Sequence, residues 1–247
     1  MPPEDATHPA EMTPADELVI AIHLGDVSWA ERLVASNPRL ASEALGGSHG
    51  TRTALHAVAD WPGYWPNGPE IARLLLAYGA RPNARDPEPG SESPFHWAAS
   101  SDDADVARAL IDGGADINLP EGSIGTPLEN AVGYGCWKVA RLLVERGATV
   151  DSLWVAAALG MIDRLDELCS MLPRGETDAV SQAFWHACGA GERRAAEFLL
   201  SRGAALNWVP DYAQGTPLDA AHQLGTQQQN VIEWLRERGA TSAERDA

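Results

Sequence analysis

The sequence predicts an all-α chain in which pairs of helices stack along one direction. Similar segments recur along the 247 residues, and they read SPFHWAA (93–99), TPLENAV (126–132) and TPLDAAH (216–222). After each segment comes an apolar pattern of helical period that closes in Gly-Ala. The chain is 45% apolar and 21% charged, a composition that supplies enough apolar surface for a packed core. These observations together indicate a repeated helical unit.

Weaker copies of the same pattern extend the repeat over most of the chain. We number each copy from its first residue, the anchor, and the anchors are Asp16, Thr53, Ser93, Thr126, Asp151, Gln182 and Thr216. One such copy cannot bury its apolar face alone, so neighbouring copies are expected to stack into a continuous core. We therefore predict a repeat array over residues 16–241, between flexible segments at 1–15 and 242–247.

Within one copy, each part of the pattern has a structural reason. Thr or Ser before Pro caps the first helix, because its hydroxyl accepts a free backbone N–H and Pro fits the first turn. The Ala pairs let neighbouring helices approach closely. The closing Gly ends the second helix in a conformation with positive φ.

The copy that starts at Thr126 resembles the ankyrin repeat in both letters and spacing. It has Gly135, the leucine pair Leu142-Leu143 and the closing pair Gly147-Ala148 at the positions of that family. This resemblance implies a solenoid of helix pairs with short hairpin-like loops. It also implies that His56 and His96 tie the backbones of adjacent repeats together. The Ala-, Gly-, Pro- and Arg-rich composition favours a bacterial member.

Two departures from the repeat bear on function. The step from Thr126 to Asp151 is the shortest, which leaves no room for the usual hairpin and predicts a gap in the row of loops. Residues 60–69, DWPGYWPNGP, are an insertion between the two helices of one copy. In the ankyrin family this turn lies along the edge of the concave groove, so the insertion is interpreted as a lid.

Aromatic residues concentrate on the predicted groove. The chain has nine Trp against four Tyr and three Phe. Helical period places positions 1, 4 and 8 after each anchor on the concave side, with position 3 beside them. Trp154 and Trp185 either face the groove or fill space between repeats, while Trp29, Trp137 and Trp234 are assigned to such packing. The predicted ligand-binding residues are Trp61, Trp65, Trp97, Asn130, Tyr134, Trp154 and Trp185.

Three residues are candidates for acid–base chemistry if the chain is an enzyme. His186 lies on the concave side, where an imidazole can exchange protons near neutral pH or simply be solvated. Glu129 replaces the structural histidine of its repeat and either caps a helix or acts as a catalytic carboxylate. Asp60 either ends a helix or takes part in chemistry. The sequence has no nucleotide-binding or hydrolase motif and no metal-ligand spacing, so we expect no metal and no cofactor.

Charge and cysteine content narrow the partners and the compartment. The net charge of −17 disfavours nucleic acid and anionic lipid as partners. The acidic cluster of Asp102, Asp103 and Asp105 is interpreted as a hydrated face. No apolar stretch is long enough to span a membrane, and three isolated cysteines indicate a reducing compartment. We therefore expect a cytoplasmic monomer.

Two functions remain open at this point. The resemblance implies a binding scaffold whose groove holds a protein partner, with basic or apolar segments favoured by the acidic charge. The alternative is a cofactor-free enzyme whose aromatic pocket takes a hydrophobic small molecule. In that case His186, Glu129 or Asp60 would supply acid–base catalysis for dehydration, cyclisation or isomerisation.

Overall fold

Helices follow one another in pairs, and in each pair we call the first helix inner and the second outer. The computed structural model describes residues 12–85, 91–222 and 228–243. These residues contain no extended strand, only an isolated bridge between Ala44 and Thr53, so the predicted all-α class is confirmed. The chain divides into two compact units, the N-terminal unit Met1–Gly147 and the C-terminal unit Ala148–Ala247.

The described residues of the N-terminal unit form four helix pairs. Its inner helices α1, α4, α6 and α8 contact one another in sequence, and so do its outer helices α2, α5, α7 and α9. A short helix α3 and a 3-10 turn, Gly47–His49, connect the first two pairs. The helices are α1 (Pro14–Leu24), α2 (Val27–Ser36), α3 (Arg39–Ser42), α4 (Ala54–Ala59), α5 (Gly68–Ala77), α6 (Pro94–Ser100), α7 (Ala104–Asp112), α8 (Pro127–Gly133) and α9 (Trp137–Glu145).

In the C-terminal unit, the part of the chain that the structure describes forms three helix pairs. Inner helix α12 packs between α10 and α14, and the outer helix α11 contacts α13. The helices are α10 (Leu153–Ala158), α11 (Ile162–Met171), α12 (Thr177–Ala190), α13 (Arg193–Ser201), α14 (Pro217–His222) and α15 (Gln229–Glu237).

Burial two positions after each anchor shows that the repeat register is correct. Six of these residues are at most 5% exposed, namely Leu18, Leu55, Phe95, Leu128, Phe184 and Leu218. The seventh, Leu153, is only half-buried. The apolar core therefore follows the predicted period in every copy except the one that opens the C-terminal unit.

Two helix starts differ from their anchors. Helix α1 begins at Pro14 and is capped by Thr13, so residues 13–15 belong to the helix start and not to the flexible segment predicted for 1–15. Helix α12 begins at Thr177, which places Gln182 inside the helix. The rest of the first flexible segment, residues 1–11, and most of the second, residues 244–247, lie outside the described residues.

Position 4 after each anchor is more buried than predicted. Ala57, Asn130 and Val155 are at most 7% exposed, whereas Trp97 and His186 remain partly exposed. The reason is that adjacent inner helices approach closely, so a small side chain at this position is sealed between them. The larger side chains at this position, Trp97, His186 and the 38% exposed Ile20, extend beyond this seam.

Loop lengths differ between repeats as the spacing predicts. Residues 113–126 connect α7 to α8, and residues 202–216 connect α13 to α14. By contrast, only residues 146–152 separate α9 from α10, and only residues 172–176 separate α11 from α12. The copy beginning at Asp151 therefore has a short connection on both sides.

The insertion at residues 60–69 is fastened to the repeats on both sides of it. Tyr64 donates its backbone N–H to Asp103 (2.7 Å) and its hydroxyl to the Asp102 carbonyl (2.5 Å). On the other side, the Asn67 amide donates to the Gly25 carbonyl (2.9 Å). Gly25 has φ +68°, and a Cβ there would collide with Pro66. The lid interpretation is therefore wrong, because these bonds fix the segment between neighbouring repeats.

The acidic pair Asp102 and Asp103 is structural, which corrects its interpretation as a hydrated face. Asp103 is 1% exposed, and it caps α7 through Val106 N–H (3.0 Å) as well as holding Tyr64. Asp102 accepts the N–H groups of Lys138 and Val139 at the start of α9. Each carboxylate thus satisfies two backbone donors that no helix turn can satisfy.

Candidate functional site

The third residue after the anchor has a defined task in the N-terminal unit. His56 Nδ1 accepts the backbone N–H of Thr53 (3.0 Å), so His56 Nε2 carries the proton and donates to the Glu92 carbonyl (3.1 Å). His96 does the same, with Nδ1 on Ser93 and Nε2 near the Gly125 carbonyl (3.2 Å). The expected structural role of both histidines is confirmed. Burial lowers the pKa of both rings, which keeps them neutral.

In two other repeats a carboxylate takes the position of the histidine and caps the helix start. Glu129 Oε2 accepts the Thr126 N–H (2.8 Å), and Asp219 Oδ2 accepts the Thr216 N–H (2.8 Å). Asp16 closes the same capping box with Thr13. The capping interpretation of Glu129 is therefore confirmed, and its carboxylate belongs to the start of α8.

In the C-terminal unit an indole makes the hydrogen bond to the next repeat. Trp185 Nε1 donates to the Gly215 carbonyl (3.1 Å), and Gly215 directly precedes an anchor just as Gly125 does. Trp185 therefore connects adjacent repeats in place of histidine, but it has no acceptor with which to cap its own helix. The sequence left open whether Trp185 faces the groove or packs between repeats, and this bond is a packing role.

Around Trp185 lies a group of four rings that we call the C-terminal aromatic cluster. It consists of Trp154 on α10, Trp185 and His186 on α12, and Tyr212 in the loop before α14. His186 is central, with ring centroids 4.7 Å from Trp154, 5.0 Å from Trp185 and 6.1 Å from Tyr212. Tyr212 is 55% exposed, so the cluster reaches the surface of the unit.

The polar atoms of this cluster are paired with each other. His186 Nε2 lies 2.9 Å from the Tyr212 hydroxyl, which also accepts the Gln182 amide (3.2 Å). Burial lowers the pKa of His186 to about 4 and raises the pKa of Tyr212. Both groups are therefore neutral at pH 7, and His186 acts as a hydrogen-bonding aromatic ring there.

Beside the cluster is an open cavity of about 430 Å³ between α10, α11 and the start of α12. Trp154 and Gln182 belong to its wall, so the cavity and the cluster are continuous. The half-buried Leu153 also lines it, which explains why this copy departs from the common core. The lining residues are Asp151, Ser152, Leu153, Trp154, Leu168, Met171, Leu172, Ala179 and Gln182.

In the N-terminal unit the predicted groove residues are dispersed. The Trp97 ring meets His56 edge-on at 5.0 Å, and the Arg52 guanidinium lies over it at 4.8 Å. Trp61 is 80% exposed and Tyr134 is 55% exposed. Both rings are accessible.

Three other predicted residues of this unit have structural surroundings. Asn130 is fully buried, with its amide bonded to Glu92 Oε1 (2.5 Å) and to Ile124 N–H (3.1 Å), so it does not face a groove. Trp65 stacks on His23 at a centroid distance of 4.0 Å and anchors the insertion. Asp60 lies 3.4 Å from Arg52 in an ion pair at the end of α4.

Sequence reasoning missed Tyr212 and the apolar floor of the cavity. Tyr212 lies in a loop, outside the helical period that selected the other rings. Met171, Leu172 and Ala179 lie where a short linker and an early helix start replace the hairpin. One feature of the sequence could have indicated the residues of the cavity floor: the copy that starts at Asp151 lacks the closing Gly-Ala pair. Of the packing tryptophans, Trp234 is 1% exposed as predicted, while Trp29 and Trp137 are half-buried.

The described parts of the chain lack two further features. Their helices include none with the length and apolar character required to cross a bilayer. In the same residues, no group of three or more His, Cys, Asp or Glu side chains has an arrangement that could hold a metal ion.

Comparison with known proteins agrees with this geometry. Residues 65–152 match the family model described as ankyrin repeats, three copies. Residues 65–152 contain ankyrin repeats. The resemblance at Ser93 and Thr126 is thus confirmed for this segment, and the helix pairs around it are those expected of an ankyrin solenoid.

Several relatives share these repeats over part of their length. E3 ubiquitin-protein ligase KEG of Arabidopsis thaliana is 30% identical over 49% of this chain, and neurogenic locus notch homolog protein 4 of Homo sapiens is 36% identical over 43%. Ankyrin repeat and MYND domain-containing protein 1 of Homo sapiens is 33% identical over 54%. The matches cover only 7%, 6% and 13% of these relatives, respectively. The similarity therefore concerns the repeats.

Proposed function

We propose that this ankyrin-repeat chain binds a protein partner through the C-terminal aromatic cluster and the cavity beside it. Ankyrin repeats generally mediate protein–protein interaction. The observation that carries the proposal is that Trp154, Trp185, His186 and Tyr212 pack together, and that Trp154 also lines an open cavity of about 430 Å³. Rigid aromatic side chains of this kind provide much of the binding energy at protein interfaces.

Preorganisation supports this assignment. The Trp185 indole is held by Gly215, and the His186 ring is held by the Tyr212 hydroxyl. A surface whose side chains are already ordered loses less conformational entropy when a partner binds. The net charge of −17 favours a basic partner segment and speeds its approach.

The enzyme alternative has less support from the site. His186, with a pKa of about 4, is a weak base at neutral pH. Glu129 is engaged in a helix cap and Asp60 in an ion pair with Arg52. Protein binding therefore accounts for these residues with fewer assumptions. All three cysteines are free thiols, which supports the proposed cytoplasmic location.

A display selection tests the proposal. A random peptide library is selected on the immobilised chain, and the affinity of each enriched peptide is measured for the native chain and for the variants Tyr212→Ala and Trp154→Ala. We expect both variants to weaken binding at least tenfold. The matched control is Tyr78→Ala, which removes a ring from the N-terminal unit and should leave the affinity unchanged.

Two outcomes would contradict the proposal. One is a selection that enriches no peptide. The other is a set of peptides whose affinity depends on Tyr78 as much as on Tyr212. A small apolar compound that binds the cavity with turnover lost in His186→Ala would instead support the enzyme.

A further inference from the structure

The cavity of the C-terminal unit has a lining that selects among partner side chains. We propose that it binds the side chain of an arginine on the partner protein. This inference rests on the proposed function and specifies the chemistry of the segment that is recognised. Three properties of the cavity support an arginine: its shape, its apolar floor and its charge.

The cavity results from a local change in the repeat. Helix α12 starts at Thr177, well before its anchor Gln182, and only residues 172–176 connect it to α11. The early start places Ala179 and Gln182 opposite Leu153 and Trp154 at the start of α10, and these four residues line the cavity. Its volume of about 430 Å³ is near the lower end of the range for ligand pockets, and it suits one long side chain with its adjoining backbone.

The floor of the cavity fits an aliphatic stem. Leu168, Met171 and Leu172 line it, and Met171 is 67% exposed. An exposed methionine is an adaptable apolar contact that adjusts to the shape of an entering chain. The methylene groups of a long cationic side chain would cover this surface and remove it from water.

The rim of the cavity fits a cationic end group. Among its nine lining residues Asp151 carries a charge, and neither Arg nor Lys is present. Arg164 contacts Asp151 Oδ1 at 2.9 Å and also pairs with Glu167 at 2.7 Å. Two carboxylates therefore share one guanidinium, and the site keeps a net negative charge that a further cation would neutralise.

Arginine satisfies this lining better than leucine or lysine does. An aliphatic occupant would exclude water from the Asp151 carboxylate, which shares Arg164 with Glu167, and would offer it no further donor, which costs free energy. The guanidinium is flat and weakly hydrated, so it can lie on the Trp154 indole while it donates to the carboxylate. A lysine ammonium is more strongly hydrated and gains less from such a surface.

The test uses single amino acids with blocked ends, which need no knowledge of the partner. The N-acetyl methylamides of arginine, citrulline, lysine and leucine are titrated into the chain labelled with ¹⁵N and with ¹³C-methyl methionine. We expect arginine to shift the indole signal of Trp154 and the methyl signal of Met171. Citrulline has nearly the same shape without the charge, and we expect it to bind at least tenfold more weakly.

Variants locate the effect. Asp151→Asn should weaken arginine binding about tenfold while the weak binding of leucine stays the same. Asp163→Asn is the matched control, because Asp163 is an exposed carboxylate on α11 outside the cavity lining. Its removal changes the net charge by the same amount and should leave arginine binding unchanged.

Several outcomes would overturn the inference. Leucine binding as tightly as arginine would show an apolar pocket, and lysine binding as tightly would remove the preference for a guanidinium. Equal effects of Asp151→Asn and Asp163→Asn would show unspecific attraction. If the display selection yields binders that require Tyr212 but carry no arginine, this inference fails while the proposed function stands. If no peptide binds, the proposed function fails.

Discussion

The two units differ in the residues that occupy the third position after the anchor. In the N-terminal unit this residue is His56 or His96, and each ring bonds its own helix start and the next repeat. In the C-terminal unit Asp219 still caps its helix start, but Trp154 and Trp185 cap none, and Trp185 keeps only the bond to the next repeat. Tryptophan in place of histidine therefore gives up the bond to the helix start and adds aromatic surface.

The insertion adds to this contrast. Residues 60–69 join neighbouring repeats of the N-terminal unit through Asp102, Asp103 and Gly25. The C-terminal unit instead has a short linker at 172–176 and an open cavity. The N-terminal unit is therefore reinforced by hydrogen bonds at a turn between helices, whereas the C-terminal unit has a cavity beside one of its linkers. Four measurements test the contrast, and each resolves the units by hydrogen exchange of their own helices.

The largest effect is expected for His96→Ala. This substitution removes a fully buried ring together with its bonds to Ser93 and Gly125, and it should lower the free energy of unfolding of the N-terminal unit by about 3 kcal/mol. The measurement is amide exchange in α6 and α8 at increasing denaturant. Glu129→Gln is the control, because the amide oxygen still accepts the Thr126 N–H. Equal stability of His96→Ala and the native chain would contradict the assigned role of the histidine.

A smaller loss is expected for Asp103→Ala. The substitution leaves the N–H groups of Tyr64 and Val106 without their acceptor, which should cost about 2 kcal/mol. Exchange should accelerate in the insertion and in α7 together. Asp105→Ala, on the exposed face of the same helix, should change stability by less than about 0.5 kcal/mol. If the two variants behave alike, the insertion is not held by Asp103.

In the C-terminal unit, Trp185→Phe should cost about 1 kcal/mol. The phenyl ring keeps most of the packing but cannot donate to the Gly215 carbonyl. The loss should be seen in the exchange of α12 and α14. Trp154→Phe at the equivalent position serves as control, and a loss as large as that of Trp185→Phe would show that the indole N–H is not what connects the repeats.

The smallest effect is a decrease in stability of the C-terminal unit between pH 7 and pH 6. Because the folded pKa of His186 is about 4, the unfolded chain takes up a proton in this range and the folded chain does not. Stability is therefore present above the unfolded pKa and decreases as the pH falls below it, here by less than about 1 kcal/mol. His186→Phe should flatten this dependence, measured by amide exchange in α12 at increasing urea at both pH values. An unchanged slope in the variant would contradict the burial of the ring.

Much of the fold follows from local patterns in the sequence. The anchors, the capping residues and the apolar period specify which residues form helices and which face the core, because each depends on neighbours within a few residues. This is why Leu55, Phe95 and Leu128 were placed correctly. The hydrogen bond from His56 to the next repeat was predicted only through the family resemblance, because its partner Glu92 is distant in sequence.

The site itself depended on contacts between distant segments. The amino-acid pattern selected Trp154, Trp185 and His186, but not Tyr212, because a loop residue has no helical period to place it. Asn130 was assigned to a groove and Asp103 to the solvent, and both are buried because neighbouring repeats supply the atoms that cover and bond them. Local capping residues and the apolar period in the sequence determine where each helix forms. The stacking of the repeats determines which side chains remain exposed, because the burial of a residue depends on the atoms that neighbouring repeats place around it.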